Sequence, residues 1–129
     1  MHRDPTRPLS PHLTIWRWGP HMLVSILHRM TGVGLVIGAA VLVWWLLAIS
    51  GGPEAYDYLA GWAKHWLGIT VLVGLTWAFF QHLFSGLRHF VMDIGAGYEL
   101  GANKFWAMMT MAASILLTAF FWFYVVTMR

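Results

Sequence analysis

Three long runs of apolar residues, almost free of charge, constrain this chain more than any other feature of its sequence. The first covers about residues 22–49, and its part after Arg29 is close to the ~20 residues that cross the hydrocarbon core of a bilayer. The others cover about residues 65–92 and 104–128. Because the hydrocarbon core offers no water to backbone polar groups, each run is predicted to be a helix. The predicted fold is an all-α integral membrane protein with three transmembrane helices.

The composition favours a membrane environment and limits the kinds of metal site and nucleophile that the chain can form. Of the 129 residues, 59% are hydrophobic and 10% are charged, whereas an average soluble domain carries about 25% charged residues. The chain has no cysteine, which excludes disulfides, iron–sulfur clusters and thiol nucleophiles within it. Any metal must therefore be held by histidine, carboxylate or methionine. We expect one membrane-anchor domain over residues 1–129.

The segments outside the apolar runs are predicted to be irregular. Residues 1–21 contain four prolines, which forbid a continuous helix, so we predict a Pro-rich arm on the membrane surface. Trp16 and Trp18 suit the headgroup level there. Residues 51–64 are predicted to be a short loop, and the glycine-containing segment 95–103 is predicted to be a second loop.

The distribution of basic residues predicts that the N-terminus is cytoplasmic and the C-terminus is outside. Six basic residues fall on the predicted inner side, namely Arg3, Arg7, Arg17, Arg29, Arg88 and Lys104. Two fall on the opposite side, Lys64 and Arg129. A C-terminal reporter that is active only in the cytoplasm would refute this orientation.

The start of the first run carries a polar constellation. Ser25 and Arg29 are four residues apart and share a helix face, with His28 and Gly32 close to it. A hydroxyl beside a guanidinium suits a carbonyl or carboxylate ligand that arrives from the headgroup region. The alternative is that Arg29 extends to lipid phosphate and Ser25 bonds its own helix, and spacing alone favours this alternative.

The second run places His82, Ser85, Gly86, His89 and Asp93 on one helical face. His82 is the ionisable side chain well inside this predicted span. An imidazole flanked by small residues suits a flat macrocycle whose iron needs an axial nitrogen. The alternative is a histidine bonded to a neighbouring helix. His89 projects from the same side two turns later, so it suits haem propionates or a carboxylate rather than the opposite axial position.

A six-coordinate b-type haem needs two axial ligands, and this chain offers one well-placed histidine. If haem is present, the second ligand must come from another chain. The pattern therefore predicts an interface rather than a self-contained cytochrome.

Two motifs resemble the signatures of the succinate dehydrogenase cytochrome b subunit family. The first is RPLSPHL at residues 7–13 followed by SILHRMTG at residues 25–32. The second is HLFSGLRHFVMD at residues 82–93, which resembles the pattern H-x-x-x-G-x-R-H-x-x-x-D. The order, the spacing and the placement on three apolar segments all match. One departure is Trp16, where the family pattern suggests tyrosine.

The resemblance implies roles residue by residue. His82 matches the family's axial ligand to haem b, and the other axial histidine comes from a second membrane anchor subunit. Ser25 and Arg29 match residues of the ubiquinone pocket. His28 and Arg29 lie where haem propionates are expected, with His89 nearby. Asp93 matches a family position to which we assign no firm role.

The same resemblance implies a membrane subunit of succinate:quinone oxidoreductase, or succinate dehydrogenase, that carries no flavin and no catalytic residue. A flavoprotein subunit oxidises succinate, and an iron–sulfur subunit passes the electrons to ubiquinone at the inner membrane edge. The expected partners are these two subunits, the second anchor subunit and membrane lipid, without nucleic acid. No transit-peptide pattern precedes the arm, which favours a bacterial inner membrane over a mitochondrial one.

Three alternatives stay open at this point. A fumarate reductase anchor would have the same architecture, and a non-haem anchor would bind the same partners. A small proton-translocating transporter is the remote alternative. It is disfavoured because the first and third runs contain no central acidic residue, and the second lacks the proline breaks that mark transporter substrate sites.

Overall fold

The computed structural model describes residues 17–128 together with Thr6, Pro8 and Ile15. Within residues 17–128 the chain forms four α-helices and no strand. They are α1 (Pro20–Ser50), α2 (Pro53–Lys64), α3 (Trp66–Asp93) and α4 (Leu100–Thr127). Helices α1, α3 and α4 are each long and apolar enough to cross a membrane, which confirms the predicted all-α fold with three spans. The predicted arm, residues 1–21, lies largely outside the described residues.

Two of the helix starts differ from the predicted ones. Helix α1 begins at Pro20 and not near residue 22. Proline is tolerated in the first turn because the backbone N–H that it lacks would have no helical partner there. Helix α4 begins at Leu100, so part of the predicted loop 95–103 is helical. The chain turns between α3 and α4 at Gly95 and Gly97, whose positive φ angles of 85° and 78° favour glycine.

The predicted loop 51–64 was wrong, because most of it forms helix α2. Gly52, with φ of 94°, ends the connection from α1, and Pro53 then opens the helix. Glu54 in the first turn and Lys64 in the last turn both complement the helix dipole. Leu59 is buried while most of the other α2 side chains are exposed, so α2 is a short amphipathic helix beside the ends of the long ones.

Helix α3 packs against both α1 and α4, and α1 also contacts α4. Side-chain hydrogen bonds among the described residues join α3 to α4, and we call this contact the α3–α4 seam; three of them have oxygen acceptors. They run from Ser114 Oγ to Gln81 Oε1 (2.8 Å), from Arg88 Nη2 to Asn103 Oδ1 (2.8 Å) and from Trp122 Nε1 to Thr76 Oγ1 (3.3 Å). The residue numbers rise on one helix as they fall on the other, so the two helices are antiparallel.

Helix α1 is also antiparallel to α3, and we call their contact the α1–α3 seam. A Cβ added to Gly38 would lie 3.1 Å from Leu75 Cδ2, so the Leu75 side chain packs directly on this glycine. One added to Gly34 would meet no heavy atom within 4 Å. Of these two glycines on α1, Gly38 therefore makes room for a side chain of α3.

Candidate functional site

Three histidine rings meet where the first half of α1 crosses the second half of α3. The His28 ring stacks on the His82 ring with centroids 4.0 Å apart and planes 8° apart. It also stacks on His89, at 5.0 Å and 20°. The sequence places His28 nearer the membrane edge than His82, yet the antiparallel crossing brings the two rings into contact.

Backbone carbonyls fix the orientation of two of these rings. His82 Nδ1 lies 3.1 Å from the carbonyl oxygen of His28 and 3.3 Å from Thr31 Oγ1. Because the carbonyl can only accept, Nδ1 carries the proton, and the Nε2 lone pair of His82 is left available. His89 Nδ1 likewise donates to the carbonyl oxygen of Ser85 at 2.7 Å.

Glycines leave room for the stacked rings. A Cβ added to Gly32 would lie 3.1 Å from His82 Cε1, which is too close unless the ring moves. A Cβ added to Gly86 would lie 3.8 Å from His28 Cε1, an ordinary contact. Gly32 is therefore a position on α1 at which an added side chain would press against His82, and more strongly the larger it is.

An open groove of about 370 Å³ lies beside the rings. It is lined by His28, His82, Leu83, Gly86, Leu87, His89 and Phe90. The three histidines are half-buried, so their edges are accessible from the groove. Among the described residues no three His, Asp or Glu side chains converge to hold a metal ion. Nor can His28 and His82 be the two axial ligands of one haem, because stacked rings do not approach a metal from opposite sides.

The other predicted site residues lie outside this groove. Ser25 is half-buried and Arg29 is exposed on α1, in the same helical turns as His28. Asp93 is exposed at the end of α3. Arg88 donates to Asn103 on α4.

Two polar residues that touch the rings had no predicted role; spacing placed Ser85 on the histidine face of α3, and Thr31 was missed. Thr31 is buried and lies beside His82 Nδ1. Ser85 is fully buried, and its Oγ lies 2.5 Å from His28 Nδ1. Thr31 follows His28 by three residues on α1, so helical spacing could have nominated it as well, although spacing alone does not show which side chains meet across two helices.

Comparison with known proteins decides the family. Residues 3–121 match the sequence model of the succinate dehydrogenase/fumarate reductase transmembrane subunit family. The chain belongs to this family. The predicted membership is thereby confirmed, and with it the assignment to a membrane subunit of this enzyme complex.

Several relatives in the transmembrane subunit family are alike over most of their length. The chain is 42% identical over 94 residues to the succinate dehydrogenase cytochrome b556 subunit of Paracoccus denitrificans, covering 73% of this chain and 72% of that protein. It is 39% identical over 118 residues to the cytochrome b556 subunit of Rickettsia felis, covering 90% of each. The mitochondrial cytochrome b560 subunit of Sus scrofa is 36% identical over 98 residues, 73% of this chain and 57% of that protein. The bacterial relatives and the three apolar helices fit a multi-pass inner-membrane protein, as predicted.

Proposed function

We propose that this chain is the haem-carrying anchor of a succinate:quinone oxidoreductase. In this proposal His82 supplies one axial ligand to haem b, and a second anchor subunit supplies the other. Ser25 and Arg29 contribute to a ubiquinone site that receives electrons from succinate oxidation through the iron–sulfur subunit. The N-terminus lies on the cytoplasmic side, where the flavoprotein and iron–sulfur subunits bind.

The observation that carries the proposal is the orientation of His82. Its Nδ1 donates to the His28 carbonyl oxygen at 3.1 Å, so its Nε2 is the free nitrogen. Histidines that bind metals typically donate their other ring nitrogen to a carbonyl or carboxylate, which fixes the tautomer and raises the basicity of the ligand. His82 has this arrangement and borders an open groove within an apolar span.

The surroundings of His82 suit a flat macrocycle. Glycine at 32 leaves its ring undisturbed, and glycine at 86 adds no bulk beside the groove. His28 covers one face of the ring and cannot reach the opposite axial position. This supports one ligand from this chain and one from a partner whose helix completes the groove.

When bound, haem b supplies one-electron redox chemistry. This chain's residues hold and orient it. His82 would bind the iron, and Thr31 and the His28 carbonyl oxygen hold the imidazole in its tautomer. His28, Arg29 and His89 are proposed to neutralise or bond the propionates, because they lie towards the membrane edge from His82.

The quinone part of the proposal rests on Ser25 and Arg29. Both lie within a turn of His28 on α1, at the end where the headgroup region begins. The Ser25 hydroxyl can donate to a quinone carbonyl. The exposed Arg29 guanidinium can stabilise the negative charge that develops on the oxygen during reduction.

The haem proposal is tested on the complex purified through a tag on this chain. A dithionite-reduced minus oxidised spectrum of wild type is expected to show a b-type band, and His82→Ala is expected to lose it. The matched control is His65→Ala, because His65 is an exposed histidine at the opposite end of α3. An unchanged band in His82→Ala, with partners retained, contradicts the assignment.

The quinone site is tested by comparing two electron acceptors. Ser25→Ala and Arg29→Lys are expected to slow succinate-driven ubiquinone reduction by roughly 10–100-fold, since a hydrogen bond to a charged group contributes ~1.5–3 kcal/mol. Reduction of a soluble dye by the flavoprotein and iron–sulfur subunits should be unchanged. Ser50→Ala is the control, because Ser50 bonds its own helix at the other end of α1. Equal loss with both acceptors contradicts the proposed site.

A further inference from the structure

We propose that Ser85 is a positioning residue, which holds the His28 ring against His82 and thereby fixes the imidazole that binds haem. The inference rests on the proposed ligation by His82. Family resemblance gives Ser85 no role, and helical spacing identifies it only as a small residue near His82.

Ser85 is the residue through which all three histidines are connected. It is 0% exposed and lies between His82 and His89 on α3. Its Oγ is 2.5 Å from His28 Nδ1 and 3.3 Å from the carbonyl oxygen of His82. Its own carbonyl oxygen accepts the bond from His89 Nδ1.

These contacts determine where the protons lie. The Ser85 hydroxyl has a single hydrogen, and the His82 carbonyl can only accept. Both Oγ contacts are satisfied when His28 Nδ1 donates to Oγ and Oγ donates to the His82 carbonyl. His28 then carries its proton on Nδ1, as His82 and His89 do.

The result is a reciprocal connection across the α1–α3 seam. His82 bonds the main chain of His28 directly, and His28 bonds the main chain of His82 through Ser85. Stacking at 4.0 Å adds a flat surface that limits rotation of the His82 ring. Removing the hydroxyl removes one of these two connections while leaving the space that Ser85 occupies nearly filled.

The test uses Ser85→Ala in the assembled complex, with Ser114→Ala as the matched control. Ser114 is also a 0% exposed serine with a hydroxyl bonded across a seam, but it contacts α3 on the α4 side. Nitrogen-15 NMR of the histidine-labelled, reduced complex reports the tautomers, and His28→Gln assigns the His28 signals. Redox titration and haem content report the ligand.

We expect wild type and Ser114→Ala to hold His28 with its proton on Nδ1, and Ser85→Ala to shift that proton towards Nε2. A weaker hydrogen bond at His82 Nδ1 should raise the midpoint potential of the haem. Loss of a residue that supports the ligand should weaken haem retention about 10-fold. Ser85→Cys, whose thiol is a weak donor, should lie between the two.

The outcomes distinguish a failure of the Ser85 positioning role from a failure of the proposed haem ligation by His82. An unchanged His28 tautomer, or an unchanged potential and haem content in Ser85→Ala, overturns the positioning role even if haem is bound. If wild type holds no haem, the haem proposal and the ligand-positioning role both fail, and the tautomer measurement alone decides whether Ser85 holds His28. Equal effects of Ser85→Ala and Ser114→Ala also overturn the inference.

Discussion

The two faces of α3 are built differently. On the α4 side, Gln81 and Ser114 are both 0% exposed and bonded to each other. On the α1 side, the three histidines are half-buried and border an open groove of about 370 Å³. One seam is closed by small and polar side chains, and the other opens towards a surface where a further helix can pack.

The difference indicates a division of roles. Transmembrane helices pack closely through small residues and interhelical hydrogen bonds, and such bonds occur at several levels along the α3–α4 seam. This seam joins α3 to α4 along much of its length. The α1–α3 seam has bonds of its own, from His28 to Ser85 and from His82 to the His28 carbonyl oxygen, and it presents His82 to the open groove.

The largest expected effect comes from adding bulk to the open seam. Gly32→Val places a branched side chain where even a Cβ lies 3.1 Å from His82 Cε1. We expect the ring to be displaced and the haem band to be lost from the difference spectrum. Gly34→Val is the control, because a Cβ there meets nothing within 4 Å in this chain. Full haem content in Gly32→Val would show that the seam is looser than its contacts imply.

A smaller effect is expected in the closed seam. Gln81→Met and Ser114→Ala, alone and together, form a double-mutant cycle on the bond between them. Gln81 Nε2 is buried without a partner in the described part of the chain, so the amide contributes to this seam only through its oxygen. Interhelical hydrogen bonds in membranes average about 0.6 kcal/mol in such cycles. We therefore expect a coupling of about 0.6 kcal/mol in the free energy of unfolding, with the haem spectrum unchanged.

A change in the haem spectrum of the α3–α4 seam variants would contradict the proposed difference between the two seams. If Gln81→Met or Ser114→Ala altered the haem band as much as Gly32→Val does, the two seams would not be separate in function. The same unfolding measurement on Gly32→Val shows whether its loss of haem is accompanied by loss of the fold.

The sequence was sufficient for the three spans, because apolar length is a property of each segment alone. It was insufficient for α2, whose Glu54, Asp57 and Lys64 suggested a polar loop. The start and stop signals were nevertheless present. Pro53 at the first position, Glu54 in the first turn and Lys64 in the last turn are each typical of a helix.

The sequence predicted those features of the site that depend on positions along a single helix. Spacing placed His82 and His89 on one face of α3, and the motifs pointed to His28. The stacking of His28 on His82 and the bond to its carbonyl depend on the axial offset between α1 and α3. That offset follows from packing between helices, which spacing along a single helix does not contain.

The central claim is that the His82 side chain binds the haem, and chemical rescue tests it most directly. His82→Gly leaves a space in which free imidazole can take the place of the lost ring. We predict that the purified variant complex loses the low-spin b-type spectrum and regains it when imidazole is added, whereas His65→Gly is unaffected throughout. A low-spin spectrum that persists in His82→Gly without imidazole would contradict the account.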